Sequence, residues 1–368
     1  MDLGIFMPIA NNGWIMSEGA PQYAPTFDLN ADIARLAEAL GFDFLLSQSK
    51  WRGFGGSTAF WDDTLESFTL TAALAAVTER VGLIASVQPL LFPPAVAAKI
   101  AATLEDISGG RSGINVVAGS YLAEYEQMGV VTPGYAEHRY DYATEWLQVV
   151  KRLWSEKSVS HEGTNFRLDD CRSDPKPVQQ PHPAIISAGS SEAGVRFATQ
   201  HCTHAFVAAP SDQLRAINAR YHESARQVGR AVKTYTVFTV VLGDTDAQAQ
   251  ALVDDWVATA DDDAIGAVYA SYTREGSGES GRRRVTANPS SVFYGTGVAG
   301  SATTIADHME RLVRDVGMDG ILLSFPDWLP DMARFGEQVM PLLRERGLLH
   351  DPRRFATHDP NLPLLRAS

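Results

Sequence analysis

Lys50 is the residue whose position in the sequence best suits a catalytic or ligand-binding role. It follows an apolar, strand-like run at residues 42–47 and opens a glycine-rich stretch that contains Gly53, Gly55 and Gly56. A cation held at the end of a strand polarises a carbonyl group or steadies an anion. The glycines indicate that the backbone approaches another group closely. The alternative for a single lysine is a solvated side chain without a role.

Asn115 and Glu124 are two further polar candidates. Asn115 lies within an apolar run at residues 112–117, where asparagine is disfavoured if the run is a strand. A buried asparagine must be hydrogen-bonded, so Asn115 is either a structural bridge or a ligand contact. Glu124 is either a surface acid or a partner for Lys50 or for a ligand N–H group.

An anion-binding turn is predicted at Gly189, Ser190 and Ser191, between a strand and a helix. The glycine allows close approach, while the N–H groups and dipole of the helix start favour a phosphate by about 0.3–1 kcal/mol. The alternative is an ordinary N-cap formed by one of the two serines. Arg139 and Tyr140 could present a charge and a phenol to a phosphate, or form an ordinary amphipathic pair.

Other catalytic patterns are weaker. Residues 295–300 spell GxGxxG, but the preceding apolar run is short and the segment lies late in the chain. We therefore interpret it as a flexible loop and helix start rather than a nicotinamide dinucleotide site. The nine histidines are scattered, and no HExxH, GxSxG or CxxC pattern occurs. The sequence therefore predicts no catalytic metal.

These candidates need a scaffold, and the hydrophobic pattern predicts alternating strands and helices. A parallel sheet covered by helices satisfies such a pattern, and a count of eight strands favours an α/β fold closed into a (β/α)8 TIM barrel. The strands are predicted at residues 3–9, 42–47, 81–87, 112–117, 184–188, 203–208, 235–242 and 320–325. The helices are predicted at residues 27–40, 64–80, 95–107, 140–154, 192–201, 211–229, 247–259, 302–316 and 332–343.

We expect a single domain over residues 1–368, because neither a domain-scale linker nor an internal repeat is visible. Three insertion segments exceed normal loop length, at residues 10–26, 51–63 and 261–300. Long segments in compact domains are usually functional. The first two follow strands one and two, so they belong at the C-terminal face, where barrel active sites lie.

Composition narrows the function classes. The net charge of −13 repels nucleic acid and anionic membranes, so neither is an expected partner. No apolar stretch approaches the roughly 18 residues that a membrane span needs. The N-terminus lacks the basic region of a secretory signal, and Cys171 and Cys202 are too few for a disulfide framework. These features predict a cytoplasmic protein with reduced thiols.

Several strings resemble the luciferase-like flavin monooxygenases. Residues 107–111 with 115–119 look like the central signature of that family, and residues 188–194 look like another of its motifs. A narrower match is to the pyrimidine-oxidising members, in near-constant register to about residue 129 and weaker after residue 208. Its strings lie at residues 8–9, 11–14, 20–23, 25–27, 52–56, 60–62, 65–70, 124–129, 139–142 and 170–172.

The resemblance implies a bacterial-luciferase-like barrel that acts as a two-component, FMN-dependent monooxygenase. A separate flavin reductase would supply reduced FMN, and O₂ would be the co-substrate. The small-molecule substrate would be uracil or a related ring amide, opened between N3 and C4, and a homo-oligomer is expected. By resemblance, the catalytic residues are Asn115, Ser86 and Lys50, and the substrate contacts are Lys50, Glu124 and Ser120. The FMN contacts are Ser49, Lys50, Asn115, Glu124, Arg139, Tyr140, Gly189, Ser190 and Ser191.

Two positions depart from the pyrimidine-oxidising members. Ser86 stands where they have a threonine, which keeps the hydroxyl, and Ser120 stands where they have a tryptophan. Loss of that aromatic wall predicts a wider pocket. The alternatives are the same flavin chemistry on another heteroarene, a sulfone or sulfonate, or a halogenated aromatic, and a non-catalytic flavin- or F420-binding barrel. The resemblance further implies a cis peptide between Ala85 and Ser86.

Overall fold

Eight parallel strands form a closed barrel in the computed structural model, which describes residues 1–119, 121–189, 191–207, 212–273 and 291–350. The strands in chain order are β1 (Asp2–Met7), β2 (Phe44–Ser47), β3 (Gly82–Val87), β4 (Ser112–Val116), β5 (Val159–Glu162), β6 (Arg167–Cys171), β7 (Ala184–Ser187), β8 (His204–Phe206), β9 (Lys233–Leu242), β10 (Gly297–Gly300) and β11 (Gly320–Ser324). The barrel order is β1-β2-β3-β4-β7-β8-β9-β11, closed where β11 pairs with β1. The predicted TIM barrel is therefore confirmed.

Helices follow the barrel strands as the sequence predicts. They are α1 (Phe27–Leu40), α2 (Ser67–Ala75), α3 (Pro94–Ser108), α4 (Ala123–Glu126), α5 (Tyr135–Ser155), α6 (Glu192–His201), α7 (Leu214–Gln227), α8 (Asp246–Ala258), α9 (Asp262–Thr273), α10 (Ala302–Arg311), α11 (Trp328–Gln338) and α12 (Met340–Glu345). Local signals set several bounds. Thr26 caps α1, and Gly41 ends it in the left-handed region with φ of 92°. No helix of the described residues is both long and apolar enough to cross a membrane.

The barrel interior and the layer between strands and helices form two separate cores. The interior core is small and contains Phe44, Leu46, Ile84, Ala184, Ile186, Phe206, Tyr235 and Leu322. Because side chains alternate along a strand, Ser86 lies on the same inner face as Ile84. Asn115 is registered between Ser86 and Ile186, so it also faces the interior. The strand register therefore brings Ser86 and Asn115 together inside the barrel.

The structure differs from the sequence prediction in segment 261–300, which was expected to be irregular. Helix α9 occupies its start, and β10 at its end pairs with β9 as an additional parallel strand. The loop predicted at the GxGxxG pattern is therefore wrong, because its last four residues form β10, whereas the predicted helix start is present, since Ser301 caps the helix that begins at Ala302. The middle of the segment lies outside the described residues. A hairpin of β5 and β6 between α5 and β7 was also not predicted.

The peptide between Ala85 and Ser86 is trans, so the prediction of a cis bond there is wrong. Regular strand pairing explains this difference. Both residues continue the parallel register with β4, and the Ser86 N–H donates to the Ser67 hydroxyl at 2.8 Å.

Candidate active site

The segments after β1 and β2 pack on each other at the C-terminal end of the barrel. The Asn12 side chain donates to the Thr58 carbonyl at 2.7 Å, and the Trp61 indole donates to the Gly13 carbonyl at 2.6 Å. Thr58 also donates from its N–H to the carboxylate of Asp261 at 2.8 Å. Both insertions follow the C-terminal ends of barrel strands, β1 and β2, at the end where Lys50 lies.

Asn115 and Ser86 form a short polar chain inside the barrel. The Asn115 amide donates to the Ser86 hydroxyl at 2.8 Å, and that hydroxyl donates to the Ser47 carbonyl at 2.6 Å. Asn115 Oδ1 is buried and has no hydrogen-bond partner among the described residues. A buried polar atom without a partner is costly, so this oxygen is suited to accept a hydrogen bond from a ligand.

Lys50 and Glu124 form a buried ion pair, which decides between the alternatives that the sequence left open. Lys50 Nζ lies 2.9 Å from Glu124 Oε1, and the two side chains are only 8% and 4% exposed. Glu124 Oε1 also accepts from the Trp51 N–H at 3.2 Å. Lys50 is therefore not a solvated lysine, and Glu124 is not a surface acid.

Aromatic rings surround the Lys50 ammonium group. Its nitrogen lies 4.2 Å from the centre of the Tyr121 ring, 4.4 Å from that of Phe54 and 5.8 Å from that of Trp61. Phe54 and Tyr121 stack on each other with centroids 5.1 Å apart. Ring faces stabilise a cation, more strongly where water is excluded. The sequence identified Lys50 but gave no sign that these three rings converge on it.

Gln88 connects the residues around this pair and was not among the predicted site residues. Its Oε1 accepts from the Ser49 hydroxyl at 3.2 Å and from the Trp51 indole at 2.5 Å. Its Nε2 donates to Glu124 Oε2 at 3.2 Å. Ser49, Lys50 and Glu124 are thus brought together as expected, and Gln88 is the residue that joins Ser49 to Glu124.

A second polar group lies at the start of α6. The Ser191 hydroxyl caps this helix by accepting from the Gly194 N–H at 3.2 Å, and it is hydrogen-bonded to Tyr140. A Cβ atom built at Gly189 would lie 2.3 Å from Tyr140 Oη and 3.0 Å from the Cα of Gly194. Only a residue without a side chain fits there, so Gly189 allows the tyrosine hydroxyl to reach the helix start.

Arg139 and Tyr140 bring charge and a phenol to this helix start. The Arg139 guanidinium lies 5.5 Å from the centre of the Tyr140 ring and donates to the Gly119 carbonyl at 3.4 Å. Burial raises the pKa of Tyr140, so its hydroxyl remains protonated and available as a donor at neutral pH. The predicted grouping of Arg139, Tyr140, Gly189 and Ser191 is therefore present. Ser190 and Ser120 lie outside the described residues.

Sequence comparison identifies the family of this barrel. The family model of the luciferase-like monooxygenases matches residues 1–320. The chain belongs to the luciferase-like monooxygenase family. The resemblance found in the sequence motifs is thus confirmed, and the protein is a monooxygenase.

Full-length relatives of this luciferase-like monooxygenase are pyrimidine monooxygenases. RutA of Acinetobacter baylyi is 40% identical over 356 residues, which cover 94% of this chain and 95% of that protein. RutA of Variovorax paradoxus is 40% identical over 365 residues, which cover 96% and 97% of the two chains. Both matches extend well beyond the motifs quoted above, over nearly the whole length of each protein.

Solved structures show how widely the fold of this luciferase-like monooxygenase is shared. A riboflavin lyase, RcaE, crystallised with modified FMN and riboflavin, superposes with a TM-score of 0.86 at 23% identity, covering 97% of this chain and 94% of that one. The long-chain alkane monooxygenase LadA gives a TM-score of 0.81 at 22% identity, covering 95% and 92%. At these identities the likeness concerns the fold alone.

Proposed function

We propose that this enzyme is a two-component, FMN-dependent monooxygenase that uses reduced FMN and O₂ to oxygenate and open uracil or a related ring amide. The observation that carries the proposal is the buried Lys50–Glu124 pair among aromatic rings. It offers a donor and an acceptor side by side, next to ring faces. The similarity to RutA along nearly the whole chain supports the same activity.

The residues present fit FMN. Ser191, Gly189 and the start of α6, with Arg139 and Tyr140, would hold the phosphate group, and Ser190 is included by resemblance. Asn115 would accept a hydrogen bond from the flavin with its unpartnered Oδ1, and Ser49 would contribute a hydroxyl. Reduced FMN, when bound, supplies the electrons with which O₂ is activated. The interior position of Asn115 and Ser86 excludes bulk water from that chemistry.

The Lys50–Glu124 pair suits the edge of a ring amide, where a carbonyl and an N–H group are neighbours. The Lys50 ammonium would donate to the carbonyl oxygen and polarise it towards attack, and the Glu124 carboxylate would accept from the N–H. The ring faces of Phe54 and Tyr121 would stack against the planar substrate. A sulfone or an alkane has no N–H group to donate to Glu124.

A substrate screen tests the proposal directly. The protein is mixed with chemically reduced FMN, ¹⁸O₂ and candidate ring amides, including uracil, and the products are examined by mass spectrometry. We expect one ¹⁸O atom to enter the product and the ring to open, and Lys50→Met to abolish this even at FMN concentrations that saturate the variant. Oxygen consumption that yields only peroxide with every ring amide would favour a flavin-binding barrel without this activity. Oxygenation of a sulfonate or halogenated aromatic alone would place the same chemistry on another substrate.

Ser120 offers a separate test of which ring amide is used. We expect the wild type to turn over uracil slowly relative to a bulkier heteroarene. Ser120→Trp should shift kcat/KM towards uracil, because the added ring would bury about 150–250 Å² of surface and narrow the pocket. A strong preference of the wild type for uracil that Ser120→Trp weakens would refute the wider pocket. The separate reductase and a homo-oligomer remain part of the proposal, as the resemblance implies.

A further inference from the structure

Gln88 is a fully buried amide next to the proposed substrate site, and the proposed chemistry gives it no role. It directly follows β3 and is 1% exposed. It lies two residues beyond Ser86, and its side chain reaches three residues in two segments, the loop after β2 and helix α4. A buried side chain amide has to be satisfied at both ends, so its contacts are specific rather than incidental.

The contacts fix which end of the Gln88 amide points where. Its Oε1 receives two donors, the hydroxyl of Ser49 and the indole of Trp51. Its Nε2 faces Glu124 Oε2 at 3.2 Å. The reverse orientation would place an oxygen against a carboxylate and an N–H₂ group against two donors. The network therefore admits one orientation of Gln88 only.

The Glu124 carboxylate depends on Gln88 for one of its two oxygens. Oε1 is held by Lys50 at 2.9 Å and by the Trp51 N–H at 3.2 Å, whereas Oε2 is held by Gln88. Without Gln88, Oε2 would lose the hydrogen bond that it accepts, in a site where the Glu124 side chain is only 4% exposed. The carboxylate would then rotate towards other donors and loosen its contact with Lys50.

The Trp51 ring is the second group that Gln88 holds. The indole is hydrogen-bonded to Gln88, and the residue also lines an apolar cavity of about 490 Å³ between α2 and α3, with Phe68, Phe92 and Ile100. Trp51 thus contacts both this cavity and Glu124, to which its N–H donates at 3.2 Å. If its hydrogen bond were lost, the ring would be free to move towards the cavity and enlarge the site.

We propose that Gln88 is a positioning residue that holds Glu124 and Trp51 in place and thereby determines which ring amides the enzyme accepts. The positioning of Lys50 and Glu124 stands on the contacts alone, whereas the choice of substrate rests on the proposed function. Gln88 itself does not touch the reacting atoms. Its effect should therefore appear in substrate affinity and selectivity before it appears in flavin binding.

Gln88→Met tests this with little change in volume, and Gln127→Leu is its matched control. Gln127 is exposed, and its amide donates to the Trp51 carbonyl at 2.6 Å rather than to Glu124. For uracil, or the ring amide oxygenated best in the screen, we expect KM to rise about tenfold in Gln88→Met, the equivalent of one buried hydrogen bond to a charged group. The KM for bulkier ring amides should rise less in the same variant. The Kd for FMN, measured by fluorescence, should change less than KM, and all values for Gln127→Leu should remain those of the wild type.

A measurement without substrate separates this inference from the proposed function. The rate at which acetic anhydride acetylates Lys50, followed by mass spectrometry, reports how firmly the ion pair holds the amine. Gln88→Met should accelerate acetylation, because the pair is looser. Lys176, whose ammonium group donates to three backbone carbonyls away from this pair, is the internal reference, and its rate should not change. A residue that merely supports the fold would speed acetylation at Lys176 as well as at Lys50.

The outcomes are decisive in each direction. Unchanged acetylation of Lys50 in Gln88→Met, or equal acceleration at Lys50 and Lys176, overturns the inference. If Gln88→Met does not fold, Gln88→Leu is compared in the same way, and the same two results overturn the inference. If acetylation responds as expected but no ring amide is oxygenated by the wild type, Gln88 positions the pair and the proposed function fails.

Discussion

At the residue scale, the Lys50–Glu124 pair determines the electrostatics of the site, and each charge offsets the cost of burying the other. Both side chains are almost completely buried. Glu124→Gln should therefore lower the stability by about 3 kcal/mol, because it leaves the ammonium group buried without its counter-charge. The double variant Lys50→Met with Glu124→Gln should recover most of this loss and yet remain inactive on ring amides. Thermal unfolding and the oxygenation assay give the two readouts, and equal instability of both variants would contradict the argument.

The helix start at α6 gives a second prediction at this scale, concerning FMN affinity. Ser191→Ala should weaken FMN binding by about 1 kcal/mol, and Arg139→Ala by up to about 3 kcal/mol, because hydrogen bonds to a charged group are stronger. Isothermal titration with FMN measures both changes. Ser301→Ala is the control, since Ser301 caps α10 in the same way. Unchanged affinity in both Ser191→Ala and Arg139→Ala would rule out this phosphate site.

The sequence predicted single site residues better than it predicted their partners. Lys50 and Asn115 stand out because a lysine after a strand and an asparagine inside one are locally unusual. Gln88 has no such signal, because its partners Ser49, Trp51 and Glu124 are 36 to 39 residues away along the chain. Contacts of that kind arise from the barrel register, which one sequence does not reveal.

At the scale of elements, periodic segments were predicted well and polar ones were not. The prediction for α1 is confirmed at both ends, because Thr26 and Gly41 are strong boundary signals. Helix α9 was missed since it begins a segment rich in glycine, serine and charge. Its start nevertheless carries a capping signal in Asp261, whose carboxylate accepts from the Ala264 N–H at 3.0 Å.

Asp261 also ties α9 to the insertion after β2, which gives a prediction about both elements. Its carboxylate accepts from the N–H and the hydroxyl of Thr58 at 2.8 and 2.7 Å. Asp261→Ala should cost about 2–3 kcal/mol, since it removes a helix cap and leaves buried donors unsatisfied. Limited proteolysis should then cut segment 51–63 faster. The exposed neighbour Asp262 serves as control, and an equal effect of Asp262→Ala would mean that helix charge alone matters.

On the scale of the whole molecule, the two ends of the barrel have different tasks. The proposed active site lies at the C-terminal ends of the strands, whereas Asp2, Asp43 and His350 cluster at the N-terminal end. There, Asp2 pairs with Lys233 at 2.8 Å, and the amino group of Met1 donates to the Leu348 carbonyl at 2.6 Å. This end joins the first strand to residues near 350, so its charged groups affect the stability of the folded protein.

The Asp43 carboxyl should therefore make the stability of the protein depend on pH. Burial raises the pKa of Asp43 from 3.8 to about 6, even though it accepts from the Leu3 N–H and faces His350. Because the folded state holds this proton more tightly, the protonated Asp43 contributes to the free energy of unfolding. This contribution is fully present below about pH 4 and is lost as the pH rises through 6.

Asp43→Asn removes this titration and keeps an acceptor for Leu3, so its effect should change with pH. Relative to the wild type, the variant should gain stability as the pH rises from about 3.5 to about 7, by at most roughly 3 kcal/mol for the difference between the two pKa values. Melting temperatures across this range measure the gain. Asp32→Asn, on the exposed face of α1, should show no such trend. A constant difference between Asp43→Asn and the wild type would mean that Asp43 titrates normally in the folded protein.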